Sequence, residues 1–243
     1  MPDANAWVTA VVVGETRETA TARALRFSAS GLRPALAGQH IDIRLTAEDG
    51  YTAQRSYSLS SAAGADPIEV TVERFEDGEV SPYLVDGVAV GDAVEVRGPI
   101  GGWLVWRPSD DRRPVQLIAG GSGVAPLMSM LRTREAARST VPFRLLYGVT
   151  DPDRVYYRDE LDRIAADGVQ VDLRYSRRVP EGSPLHAGRL TRDDLAALVV
   201  PPAEDPSVFV CGPTGFVEAV SDALLALGHP EERIRTERFG PTS

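Results

Sequence analysis

Residues Leu117–Leu131 read LIAGGSGVAPLMSML. Leu117, Ile118 and Ala119 complete an apolar run that starts at Val115, and from Ala125 to Ala137 apolar residues recur at helical spacing. Between them stand Gly120, Gly121 and Gly123. Pro126 lies near the helix start, where its missing N–H leaves no hydrogen bond unmade. A buried strand that turns through glycines directly into a helix is the repeating unit of a parallel α/β sheet. Glycines at such a turn let the backbone approach a pyrophosphate, whose charge is favoured at a helix N-terminus. A tight turn that binds nothing uses the same residues, so this stretch points to a parallel α/β sheet and leaves the ligand open.

The same alternation continues downstream. FRLLYGV precedes a helical pattern from Tyr157 to Ala166, VQVDLRYS one from Leu190 to Leu198, and SVFVC one from Phe216 to Leu227; RIRTERF is a final strand. Strands alternating with helices imply right-handed crossovers and a doubly wound sheet, whose ligands sit at the carboxyl ends of the strands. A second glycine turn, VFVCGPTGFVEAV, places Cys211, Gly212, Pro213 and Gly215 at such an end. By itself one cysteine there reads as a small buried hydrophobe.

Upstream the period changes. WVTAVVVG, TARALRFSA, HIDIRLTA, SYSLSS, IEVTVERF and DAVEVRG are short strand-like runs between Gly and Pro turns, the pattern of a small antiparallel β-barrel. The proline-bracketed polar segment RPSDDRRP, Arg107–Pro114, reads as a linker. Two domains are expected: a β-barrel over residues 1–108, and an α/β doubly wound parallel sheet over residues 109–243.

Composition excludes several function classes. The 243 residues are 43% hydrophobic and 25% charged, and no apolar run approaches the length of a membrane span. The N-terminal stretch lacks the basic region of a secretory signal, so a cytoplasmic location is expected, with no membrane partner. Cys211 is the single cysteine, which rules out a disulfide within the chain, a thiolate zinc site and an iron–sulfur cluster. His40, His186 and His229 are scattered, so no histidine site or metal centre is expected. A net charge of −9 argues against nucleic-acid binding. All 26 basic residues are Arg, which reflects either a GC-rich genome or a demand for forked phosphate and carboxylate binders.

One barrel strand is anomalous. QRSYSLSSA, Gln54–Ala62, alternates like a strand but sets Arg55, Tyr57, Ser58, Ser60 and Ser61 where apolar packing is expected. A planar guanidinium suits a phosphate, an aromatic face suits a flat heterocycle, and a hydroxyl can donate or accept. The plain alternative is an exposed edge strand rich in hydroxyls.

RSYSLSS, GEVSPYL, GGSGVAP, CGPTGF and the terminal ERF occur in the order, and at about the spacing, of the ferredoxin-NADP reductase family, and the chain resembles that family over nearly its whole length. The resemblance implies an FAD-binding barrel followed by a pyridine-nucleotide domain. It implies that Arg55 pairs with the flavin phosphate, that Tyr57 lies on the isoalloxazine, and that Ser58 faces the ring nitrogen that accepts hydride. Gly78 and Ser81 then bind the diphosphate in a Gly-x-x-Ser turn, which favours FAD over FMN, and Val72 and Val80 complete the flavin set. Gly121, Gly123, Pro126, Cys211, Gly212 and Pro213 belong to the nucleotide. Ser176 and Arg177, in VDLRYSRRVPEG, match a Ser-Arg pair that grips the 2′-phosphate of NADP(H). Glu237 contacts nicotinamide or relays protons, and Phe239 covers the flavin. Four residues follow Phe239, whereas plant-type members end on the aromatic itself.

The activity implied is hydride transfer from NADPH to FAD, with Ser58, Cys211 and Glu237 as catalytic residues, followed by electron transfer from a monomer to a separate ferredoxin or flavodoxin. The alternatives are a reductase of free flavin, quinone or ferric chelate, a reductase subunit of an oxygenase, and a non-catalytic module that only binds flavin and nucleotide.

Overall fold

A computed structural model describes residues 6–109 and 112–240. Six antiparallel strands form the first sheet: β1 (Val8–Arg17), β2 (Ala22–Ser28), β3 (His40–Thr46), β4 (Thr52–Ser58), β5 (Ile68–Glu73) and β6 (Ala93–Ile100). Their order is β4-β3-β6-β1-β2-β5. A bridge between Leu59 and Val70 joins the two edges into a barrel, and there the Ser60 N–H donates to the Glu69 carbonyl at 2.8 Å. Alternation explains the filling: Ala10 and Val12 point in while Val11 and Val13 point out. Leu25, Phe27, Ile41, Ile43, Val70 and Val96 complete a dry interior, each worth about 1.5–3 kcal/mol for full burial.

Five parallel strands form the second sheet: β7 (Val115–Gly120), β8 (Phe143–Val149), β9 (Gln170–Tyr175), β10 (Ser207–Pro213) and β11 (Ile234–Phe239). The order β11-β10-β7-β8-β9 reverses between β7 and β10. In an open α/β sheet that reversal is where a crevice forms, at the carboxyl ends of the strands. β7 is buried at every position, as a strand covered on both faces must be. The connections are α1 (Val124–Ala136), α2 (Arg158–Ala166) and α3 (Arg192–Leu198), with α4 (Thr214–Ala226) between β10 and β11. Each lies within two residues of its sequence expectation. Among the described residues no helix is long and apolar enough to cross a membrane.

The chain forms two compact units. One comprises the chain up to Arg107 together with Met128–Ala136; the other comprises Pro108–Leu127 and the chain from Ala137 onward. Helix α1 begins in the second unit and ends in the first.

Candidate functional site

In the barrel, β4 pairs with β3 so that Arg55 faces Ile43 and Tyr57 faces Ile41. Both isoleucines are in the core, yet Arg55 is exposed and Tyr57 only half-buried against the interior. Burial pushes the Tyr57 phenol well above its ordinary range, against the opposing charge of Arg55, so the ring is a neutral flat surface. Ser58 ends the strand as a buried residue.

The fold brings Arg55 to the GEVSPYL turn. Its guanidinium lies 3.6 Å from the Glu79 carboxylate, which also accepts from the Tyr51 hydroxyl at 2.7 Å. Within the turn, a Cβ on Gly78 would stand 2.8 Å from Ser81 Oγ and 3.1 Å from the Phe75 carbonyl, so a larger residue would displace the Ser81 hydroxyl. Ser81 Oγ accepts from the Phe75 N–H at 3.1 Å, which leaves its proton to donate. A five-residue π-helical segment, Tyr83–Gly87, follows, and its Leu84 N–H donates to the Val80 carbonyl at 3.1 Å. A forked cation beside a tight turn of backbone N–H groups fits a diphosphate. Val72 and Val80 are fully buried in the barrel core, so neither side chain has surface left for a ligand.

Ser60 and Ser61 have a different task from Arg55 and Tyr57. Ser60 Oγ donates to Glu69 at 2.8 Å, and the Ser61 carbonyl accepts from Ser129 Oγ at 2.6 Å. Arg132 donates to the Ser60 carbonyl at 3.0 Å and ion-pairs with Glu69 at 2.5 Å, while the Ala63 N–H donates to Thr133 Oγ1 at 2.8 Å. This half of the hydroxyl-rich strand holds the last turns of α1.

In the second unit the two glycine turns meet at the sheet reversal. A Cβ on Gly123 would lie 2.2 Å from the Cys211 carbonyl oxygen, one on Gly120 would lie 2.7 Å from the Phe216 ring, and one on Gly212 would lie 3.1 Å from Gly120 Cα. Crowding between the turns therefore accounts for three of the glycines. Gly121 differs: its φ of +54° is left-handed and nothing lies within 4 Å of its missing Cβ, and Gly215 also faces open space. Pro126 is buried in the first turn of α1.

Cys211 sits beside Glu237 in the parallel register of β10 and β11, and Pro213 beside Phe239. Burial, reinforced by the nearby Glu237 carboxylate, drives the Cys211 thiol well above its usual pKa and keeps it neutral. Glu237 and Phe239 are half-buried. Past β9, the Ser176 N–H donates to the Val149 carbonyl at 2.8 Å and the Arg177 N–H to the Thr150 carbonyl at 2.9 Å, so this turn is tied to the end of β8. Arg177 is exposed. Cys211, Gly121, Gly212 and the turn at Ser176 thus lie at the carboxyl ends of β10, β7 and β9 of one sheet.

Two family matches tile the chain in this order: an oxidoreductase FAD-binding domain over residues 10–104 and an oxidoreductase NAD-binding domain over residues 117–222. The chain belongs to the ferredoxin-NADP reductase family. The chain is 34% identical over 207 residues to a flavohemoprotein of Pseudomonas putida, a match covering 85% of this chain and 51% of that protein, so it spans about half the relative's length. Its fold matches the FAD/NAD-binding domain of a nitric oxide dioxygenase from Vibrio cholerae with a TM-score of 0.86 and 30% identity, covering 96% and 99% of the two chains. It matches an Amycolatopsis cytochrome P450 reductase with a TM-score of 0.83 and 30% identity, covering 98% and 71%.

Arg23 was not among the residues that the sequence singled out. Arg23 is buried, ion-pairs with Glu15, and donates to the carbonyls of Val85 at 3.2 Å and Val88 at 2.8 Å, so it holds the π-helical segment behind the Gly78–Ser81 turn. The signal was present in TARALRF, where Arg23 occupies the face of Leu25 and Phe27.

Proposed function

We propose that this chain takes hydride from NADPH onto FAD and delivers electrons one at a time to a separate acceptor. The observation that carries this reading is the place of Arg55, on a strand that also presents Tyr57 and Ser58: it is exposed beside the Gly78–Ser81 turn and stands 3.6 Å from Glu79, beyond hydrogen-bond reach, so it keeps donors for a phosphate. FAD supplies the hydride-accepting nitrogen and the change from two-electron to one-electron chemistry. The protein supplies placement. Arg55 and the turn hold the diphosphate, Tyr57 lies along the ring, and the Ser58 hydroxyl is the partner for the reacting nitrogen. In the second unit, Gly121, Gly215 and the start of α1 receive the pyrophosphate, Arg177 and Ser176 the 2′-phosphate, and Glu237 holds or relays a proton. Cys211, held neutral by its burial, acts as an uncharged filler beside the nicotinamide and not as a nucleophile.

A ferredoxin or flavodoxin is the acceptor the resemblance points to. A haem protein, such as the oxygenase component of a two-component system, is the second reading, favoured by the flavohemoprotein and cytochrome P450 reductase among the similar proteins. The test has two steps. FAD-loaded protein should absorb near about 450 nm and bleach anaerobically with NADPH; protein that takes up no FAD would end the reading. Reduced enzyme is then mixed by stopped flow with ferredoxin, flavodoxin or a ferric P450, and the acceptor reduced fastest identifies the class. Rapid reduction of free flavin or quinone alone would replace both readings with a small-molecule reductase.

A further inference from the structure

The turn after β9 carries two adjacent arginines in unlike surroundings. Arg178 Nη2 lies 2.5 Å from Asp153 Oδ2 and 3.4 Å from Asp151 Oδ1. Arg177 is exposed, and among the described residues no carboxylate lies within ion-pair distance of it. Neither acid stands near the arginines in sequence; both come from the loop after β8.

That loop is held in place. Asp151 caps the short 3₁₀ helix Pro152–Arg154, its Oδ1 accepting from the Asp153 N–H at 3.1 Å. The Thr150 carbonyl accepts from both the Arg177 N–H at 2.9 Å and the Arg178 N–H at 3.2 Å. The backbone that carries the acids and the backbone that carries the arginines are therefore one hydrogen-bonded piece, and the acids face Arg178 without any rearrangement.

We infer that Asp153, assisted by Asp151, withholds Arg178 from the adenosine 2′-phosphate, so that Arg177 alone discriminates between nucleotides with and without that phosphate. This rests on the proposed reading of Ser176 and Arg177 as the phosphate grip. A guanidinium whose donors point at two carboxylates has fewer left for a phosphate, and a dianion drawn to Arg178 must also approach those carboxylates. The side chains of Arg178 and Asp153 are 57% and 81% exposed, so the restraint is that of a surface ion pair. Its removal should change affinity by no more than about fivefold.

The experiment titrates FAD-loaded protein calorimetrically with 2′,5′-ADP and, separately, with 5′-AMP, so that no turnover is involved. Asp153→Asn should tighten 2′,5′-ADP by about threefold to fivefold and leave 5′-AMP unchanged. Arg178→Ala alone should do little, and the gain should vanish in Asp153→Asn/Arg178→Ala, with equal melting temperatures showing that all variants fold. An unchanged 2′,5′-ADP affinity in Asp153→Asn would overturn the inference. So would a gain that survives without Arg178, since the carboxylate charge would then act directly. Arg177→Ala separates the underlying reading: a loss of about tenfold or more for 2′,5′-ADP supports the grip, whereas no loss removes the grip itself and the inference with it.

Discussion

Strand β4 and the turn after β7 both depart from ordinary apolar packing, for opposite reasons. In β4 the unusual residues are conspicuous because they have room: Arg55 is exposed and Tyr57 half-buried, although their partners in register are core isoleucines. In the turn the unusual residues are mostly there because room is lacking. Gly123 and Gly120 are glycines since a Cβ would strike the Cys211 carbonyl or the Phe216 ring, and of that turn's glycines only Gly121 looks onto open space, as Gly215 does at the start of α4. A residue type that stands out in a sequence marks either a ligand or a neighbour, and the space around it tells which.

Gly123→Ala should have the largest effect. A methyl group 2.2 Å from a backbone oxygen cannot be relieved by a rotamer change. The variant should lose about 3 kcal/mol or more in chemical denaturation, with the loss in the nucleotide-binding half. Gly215→Ala is its control: with nothing within 4 Å and a helical position, it should keep or slightly raise the melting temperature while weakening nucleotide binding. If both glycines tolerate alanine equally, crowding does not explain the turn.

Arg55→Ala comes next and should behave in the reverse manner. Its exposed side chain contributes little to folding, so the melting temperature of the apoprotein should stay put while the FAD dissociation constant rises by up to about 100-fold, the scale of a lost charge-assisted hydrogen bond. Flavin fluorescence on titration reads it out, and unchanged affinity would remove Arg55 from the site. Ser58→Ala should retain FAD and slow its reduction by NADPH about tenfold or more in stopped flow. A normal rate would leave Ser58 a packing residue.

The smallest effect belongs to pH. His229 is buried, and among the described residues neither ring nitrogen has a hydrogen-bond partner. Burial lowers its pKa below the ordinary 6.5, with no charge opposing the shift, whereas at His40 in the barrel the charge of Asp42 works against burial. A depressed histidine pKa means that the unfolded chain binds the proton first. The contribution is complete above about pH 6.5 and is lost as the pH falls towards the folded-state value. Thermal melts at pH 7.5 and 5.5 should show a smaller drop in His229→Leu than in the native chain, and equal drops would refute the assignment.

The fold was legible because its signals are periodic: alternation wrote the barrel, and apolar runs punctuated by glycine wrote the parallel sheet. Within the candidate site, Arg55 and Tyr57 could be picked out because each breaks a local pattern, whereas Gly78 and Ser81 are recognisable through the resemblance of GEVSPYL to the family's Gly-x-x-Ser turn. The remainder depended on contacts between distant segments. Ser60 and Ser61 look like more of the same hydroxyl-rich strand, yet their partners, Ser129 and Arg132, lie some seventy positions away. Asp151 and Asp153 reach Arg178 only because β8 and β9 are neighbours in the sheet. Arg23 did break a pattern, but what it holds became visible only with the Tyr83–Gly87 segment in place.

Helix α1 has a consequence for anyone who would cut or recombine this gene. Glu69 ion-pairs with Arg132, and the Ser61 carbonyl and the Ala63 N–H are satisfied by Ser129 and Thr133, all from a helix encoded after the barrel has ended. A fragment stopping at Arg107 would be translated without those partners, leaving the Glu69 carboxylate with Ser60 but without its cation, and the Ser60 and Ser61 carbonyls and the Ala63 N–H without their side-chain partners. A chimera joined at the linker would give the barrel another protein's helix at the same place. A crossover beyond Ala136, and not at the proline-bracketed linker that looks like a seam, lets the barrel inherit its own helix, and it carries β7 along, away from its neighbours β8 and β10.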